Sequence, residues 1–208
     1  MLTKNKIPLL VASIICLEIV IYLWALWTST MDKSNFFAIE PAFIFDKCAR
    51  NSGRVSSALN LFILLMIGYF GLSKIYNDNT KWDKLRILIT LFAVNHLAHF
   101  FFVFQTFKQH TMAFNISENK HGFTTFICIL IIPIILWTIK NLSKFLYLII
   151  ILHLFNVSYF IMETFYNKIK PDKPAYHNQF GILVTTVACV YILYRIFREY
   201  KLKVTANT

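Results

Sequence analysis

Apolar residues occur in this chain in six long runs that are separated by short polar connections. Each run is close to the length of about 20 residues with which a helix crosses the hydrocarbon core of a bilayer. The predicted spans cover residues 7–27, 55–72, 85–107, 123–139, 145–165 and 180–197. The pattern predicts an all-α polytopic membrane protein, a bundle of six transmembrane helices that forms a single domain over residues 1–208.

Two of the polar connections carry local signals. Asn51-Ser52-Gly53 is typical of a turn, and we expect that turn immediately before the second span. The apolar stretch 36–45 in the same connection contains Glu40 and Pro41 and is expected to lie along the membrane surface. Pro171 and Pro174 predict an extended segment between the fifth and sixth spans.

Composition supports the membrane prediction, and the distribution of charge indicates which partners to expect. The chain is 57% apolar, and its formal net charge is +11. Its basic residues lie between spans and not in one patch, so we expect a lipid bilayer and no nucleic acid as partner. Alternating topology places four basic groups on one side, which predicts cytoplasmic termini. The groups are Lys4 and Lys6; Lys74, Lys81, Lys84 and Arg86; Lys140 and Lys144; and Arg195, Arg198, Lys201 and Lys203.

Histidines inside the apolar runs are the strongest chemical signal. His96 and His99 are three residues apart on the third span, so their imidazoles share one helix face. His153 lies on the fifth span at a similar predicted depth, with Asn156 one turn later. Ionisable residues at membrane depth are expensive and often functional. Imidazoles from two helices at one depth are the arrangement that holds a b-type haem by two axial ligands.

Two other interpretations of these histidines stay open at this stage. Histidine and asparagine side chains can join membrane helices by hydrogen bonds without any cofactor. The polar residues available for that role are Asn95, His96, His99, His153 and Asn156. A non-haem metal site would use the same three histidines, but Glu163 lies roughly 15 Å beyond His153 along the helix axis. The metal set is therefore incomplete.

Short motifs near the starts of four spans resemble those of one membrane family. They are Asn51-Ser52-Gly53-Arg54, Arg86 followed by His99, Gly122-Phe123 leading to Pro133 and Thr138, and the run 142–147. In order and spacing they resemble the ferric-reductase-like transmembrane domain, most of all the YedZ-like haem-binding membrane subunits of periplasmic methionine-sulfoxide reductase systems. The resemblance covers residues 35–165. Where the fifth helix of that family carries histidines, this chain has Ser143 and Asn156.

The resemblance implies an oxidoreductase subunit in a bacterial inner membrane. It would pass electrons from a separate cytoplasmic flavin reductase to an acceptor on the outer side. A shift of one turn on both helices pairs His96 with His153 as axial ligands of a single haem b, with His99 as substitute or neighbour. The alternative is a haem-free membrane scaffold or accessory subunit on the same fold.

Three further residues complete the predicted haem site. Asn156, like Asn95, is placed to hydrogen-bond an axial ligand. Arg54 and Arg86 lie near span ends, where a guanidinium can pair with a haem propionate. Each arginine can instead anchor its helix at the membrane interface.

Overall fold

The computed structural model describes residues 6–31, 41–110, 120–138, 144–169 and 175–205. These residues form seven helices and no strand: α1 (Ile7–Met31), α2 (Pro41–Phe70), α3 (Leu72–Tyr76), α4 (Asn79–Gln109), α5 (Lys120–Thr138), α6 (Lys144–Tyr166) and α7 (Tyr176–Thr205). All except the short α3 contain a segment long and apolar enough to cross a membrane. The prediction of an all-α fold with six membrane-spanning helices is confirmed. The chain is an integral, multi-pass membrane protein.

The outward-facing side chains of these helices are large and apolar. Trp27, Phe62 and Phe145, on three different helices, are 58%, 62% and 71% exposed. Helical backbone satisfies its own hydrogen bonds, so a surface of this kind is stable in hydrocarbon and unfavourable in water. The exposed surface therefore fits a lipid bilayer as the environment.

The second span begins earlier than the sequence predicts. α2 is continuous from Pro41, so the predicted turn at Asn51-Ser52-Gly53 is wrong. A break at membrane depth would leave backbone N–H and C=O groups unpaired, which costs more than the roughly 1 kcal/mol of a helical glycine. Asn51 also bonds within the helix, where its amide donates to the carbonyl of Lys47 at 2.9 Å. Residues 36–40, Pro171 and Pro174 lie outside the described residues.

The chain divides into two compact units. Unit 1 comprises Met1–Leu59 and Thr90–Leu130, and unit 2 comprises Asn60–Ile89 and Ile131–Thr208. The single domain over residues 1–208 and the cytoplasmic termini stay predictions. In unit 1, a buried cluster of Ala25, Ile44, Cys48 and Phe102 joins α1, α2 and α4.

In the described part of unit 2, close contacts between helices and a buried hydrogen bond hold the helices together. α6 packs along α7, and Gly181 lets the backbone of α7 approach the ring of Phe165, which a Cβ atom would overlap. The amide of Asn60 on α2 donates to the hydroxyl of Ser158 on α6 at 3.1 Å. Small residues and interhelical hydrogen bonds are the usual means of association between membrane helices.

Gly71, between α2 and α3, has a backbone conformation that favours glycine. Its φ is +80°, a conformation that residues with a side chain rarely adopt. We expect Gly71→Ala to lower the free energy of unfolding by about 1–3 kcal/mol, measured by denaturant titration in detergent. A Cβ atom there would also overlap the carboxylate of Glu199. Repeating the substitution in a Glu199→Ala background isolates the backbone cost, and an unchanged stability there contradicts this account.

Asp78 caps the start of α4 and makes the stability of that helix end depend on pH. Its carboxylate accepts hydrogen bonds from the backbone N–H groups of Thr80 and Lys81 at 3.0 and 3.1 Å. The ammonium of Lys81 binds the same carboxylate, and these hydrogen bonds hold the pKa of Asp78 below its usual range. A lowered folded-state pKa means that the stabilisation is present above the unfolded-state pKa and is lost as pH falls through the folded one.

We therefore expect the amide NMR signals of Thr80 and Lys81 to shift when the protein is acidified. The midpoint of that shift should lie at a pH below the usual pKa range of aspartate. Asparagine caps a helix as well as aspartate does but does not titrate. Asp78→Asn should keep the helix start and abolish the shift. A shift at the ordinary pKa of an aspartate would contradict the prediction.

Candidate functional site

Polar side chains from three helices meet inside unit 1. Glu18 comes from α1, Ser52 and Ser56 from α2, and Asn95 and His96 from α4. All five are buried, with exposed fractions between 0% and 8%. We call this group the unit 1 polar cluster. Buried polar groups in an apolar region require hydrogen bonds, so their connections decide what the cluster can do.

Hydrogen bonds join the cluster into one chain. The Ser52 hydroxyl donates to Glu18 Oε1 at 2.9 Å. The Asn95 amide donates to the Ser52 carbonyl at 3.2 Å and to the Ser56 hydroxyl at 2.8 Å. Ser52 thus contacts both Glu18 and Asn95, and the hydrogen bonds of the cluster link α1, α2 and α4 to one another.

His96 lies at one end of this chain, against aromatic rings. Its Nδ1 is 3.3 Å from the Ser56 hydroxyl. Its ring lies 5.6 Å from the ring of Phe92 and 6.2 Å from that of Phe126, measured between centroids. Nε2 forms no hydrogen bond to any residue in the described part of the chain. One ring nitrogen is therefore oriented by a hydroxyl, and the other has no hydrogen-bond partner in the described ranges.

His99, one turn after His96, faces α2. The two imidazole centroids are 5.2 Å apart. The ring of His99 lies over the backbone of Gly53, where an added Cβ would be 3.1 Å from Cε1 of the imidazole. Gly53 therefore has a packing role inside α2 in place of the predicted turn, and His99 belongs to the helix contact as well as to the surroundings of His96.

His153 lies in unit 2, on α6, and is 8% exposed. Its Nδ1 is fully buried without a hydrogen-bond partner among the described residues, and the structure gives its other nitrogen none within those ranges either. Asn156, one turn later, is half-buried. A buried imidazole with both nitrogens unbonded is costly in an apolar region.

The two arginines that were predicted to pair with haem propionates differ in their surroundings. Arg54 is exposed on α2, and its guanidinium donates to the Asn51 side-chain oxygen at 3.0 Å. Arg86, in unit 2, lies over the rings of Trp82 and Trp137, 5.1 and 5.2 Å from their centroids. It also pairs with Asp83 at 3.4 Å. These contacts show how Arg86 is anchored, and the pairing of either arginine with a propionate stays a prediction.

Glu18 was not predicted from the sequence, although a signal was present. It is an acidic residue in the middle of an apolar run, and such residues are functional candidates by default. Its partner Ser52 could not be recognised because the turn assigned before the second span placed Ser52 outside the membrane. Within the described ranges, no three histidine, cysteine or acidic side chains come together as a metal site.

The chain matches no protein-family model, no curated protein and no solved structure.

Proposed function

We propose that this chain is a membrane electron-transfer subunit that binds one b-type haem, with His96 and His153 as the axial ligands. The main support for the proposal is the environment of His153. Its imidazole is buried, and neither ring nitrogen has a hydrogen-bond partner among the described residues. A histidine kept only to join helices would have a donor or acceptor facing it. An imidazole that lacks one fits a residue whose partner is an exogenous ligand.

His96 has the chemistry expected of a second axial ligand. Histidines that bind a metal commonly donate their other ring N–H to a neighbouring oxygen, which fixes the tautomer and the ring orientation. The Ser56 hydroxyl lies at hydrogen-bond distance from Nδ1, at 3.3 Å. When His96 donates from Nδ1 to Ser56, the lone pair of Nε2 is available to iron. Ser56 and Asn95 then hold the ligand in position.

The bound haem would supply reversible one-electron transfer, with its potential set by the two imidazoles and their surroundings. The residues of this chain would orient the ligands and keep the site apolar. The resemblance to ferric-reductase-like membrane domains supports a cytoplasmic flavin reductase as electron donor and an acceptor on the outer side. It also supports a bacterial inner membrane as the location.

A second candidate function is a haem-free scaffold or accessory subunit. The hydrogen bonds of Asn95 to α2 favour it, because they show that part of the polar set does join helices. Optical spectra separate the two candidates. We expect protein purified from haem-replete cells to show a Soret band, and a reduced-minus-oxidised difference spectrum of one low-spin b haem per chain. A colourless preparation would favour the scaffold.

A further inference from the structure

Glu18 lies at the centre of a membrane-spanning helix. The span runs over Ile7–Thr30, which puts Glu18 roughly 16–18 Å from either end. Its side chain is 5% exposed. A carboxylate at that depth carries a large desolvation cost unless a positive group compensates its charge.

No basic side chain in the described part of the chain forms an ion pair with Glu18. Oε1 accepts a hydrogen bond from Ser52, whereas Oε2 is buried with no partner in those ranges. The other ionisable group close to it on α2 is the Cys48 thiol, which is fully buried and brings no positive charge. The carboxyl group therefore lacks a counter-charge within the protein that is described.

Asn95 supplies a second buried oxygen that has no hydrogen-bond donor among the described residues. This oxygen is the side-chain carbonyl Oδ1. The orientation of the amide is determined, because the Ser52 carbonyl can only accept and must face the NH2 group. Both orphaned oxygens thus belong to side chains that are bonded to Ser52, one through its hydroxyl and one through its carbonyl.

We propose that Glu18, Ser52 and Asn95 form a binding site for one small cation, a proton or a sodium ion, inside unit 1. Buried oxygen acceptors without donors, one of them on a carboxyl group, fit a proton or a hard monovalent cation. Either ligand would neutralise Glu18 and bind its unpaired Oε2, and Asn95 Oδ1 is a second unpaired oxygen on a side chain that contacts Ser52. The site shares Asn95 with the residues that position His96, but none of its members is a proposed haem ligand, so it can be tested without haem.

The experiment uses the chain of 208 residues in lipid nanodiscs and the apolar carbodiimide dicyclohexylcarbodiimide. This reagent adds to a protonated carboxylic acid within the membrane, and mass spectrometry locates the resulting N-acylurea. Labelling is measured across a pH series in choline chloride, and at one pH with sodium chloride replacing choline chloride at equal ionic strength. Glu163, a half-buried carboxylate on α6, is the internal comparison, and Glu18→Gln and Glu163→Gln are the paired controls. Infrared spectra record the carbonyl band of a protonated carboxyl group.

We expect an adduct at Glu18 that is lost in Glu18→Gln and retained in Glu163→Gln. Labelling that falls as pH rises and ignores sodium identifies the proton. Labelling that sodium suppresses identifies the sodium ion. A carboxylic-acid band that Glu18→Gln removes also supports the proton, even if the reagent does not reach the site. Labelling that is insensitive to both pH and sodium, in a protein without a carboxylic-acid band that Glu18→Gln removes, overturns the proposal, as does the absence of both adduct and band.

Discussion

Replacing His153 by alanine is expected to abolish haem binding. The proposal leaves this imidazole no role other than ligation, because it has no hydrogen-bond partner among the described residues. Groups that merely support a metal ligand are typically worth about 10–100-fold in affinity, and the ligand itself should be worth at least as much. The haem content of purified His153→Ala, measured by the pyridine haemochrome, should fall from one per chain to a small fraction.

His121→Ala is the matched control, since His121 is an exposed histidine on α5. It should retain the haem content of the wild type. His153→Ala should also keep its helical circular dichroism and detergent elution volume, which separates lost ligation from misfolding. Full haem content in His153→Ala would exclude this residue as a ligand and remove the main support for the proposed function.

The second large effect is expected at Asn95, which is fully buried. Asn95→Ala removes the two hydrogen bonds that its amide donates to α2, one to the Ser52 carbonyl and one to the Ser56 hydroxyl. At about 0.5–1.5 kcal/mol each, with an added cost for the unfilled space, the loss in unfolding free energy should be about 2–3 kcal/mol. Unfolding by sodium dodecyl sulfate from mild detergent micelles measures it.

Leu97→Ala provides the comparison, because Leu97 lies two residues away and is 51% exposed. Its effect should stay below about 0.5 kcal/mol. Equal effects of the two substitutions would mean that the hydrogen bonds of Asn95 do not hold α2 to α4. A loss near zero at Asn95 would have the same consequence.

The sequence pattern was sufficient for the membrane helices and insufficient for their ends. A run of about 20 apolar residues has few alternatives to a membrane helix, so all six spans were predicted. The start of α2 was missed because residues such as Asp46, Asn51 and Gly53 read as loop by composition. The structure extends the helix to Pro41, since Asn51 bonds within it and Gly53 packs against His99.

Residues of the candidate site could be predicted only where the residue type is itself unusual in an apolar run. His96 and His153 stand out in apolar runs, and both are buried. Ser52 and Ser56 are common small residues whose role depends on the neighbouring helix, which no local pattern specifies. Glu18 could have been found from its depth in the first span, because an acidic residue there needs a partner wherever it packs.

Electron paramagnetic resonance of the oxidised, haem-loaded protein tests the central claim most directly, because the spectrum reports both axial ligands of the iron. The account predicts a low-spin ferric signal of two-imidazole coordination that disappears in His96→Ala and in His153→Ala. A high-spin signal in the wild type, or a low-spin signal that survives either substitution, would contradict ligation by these two histidines.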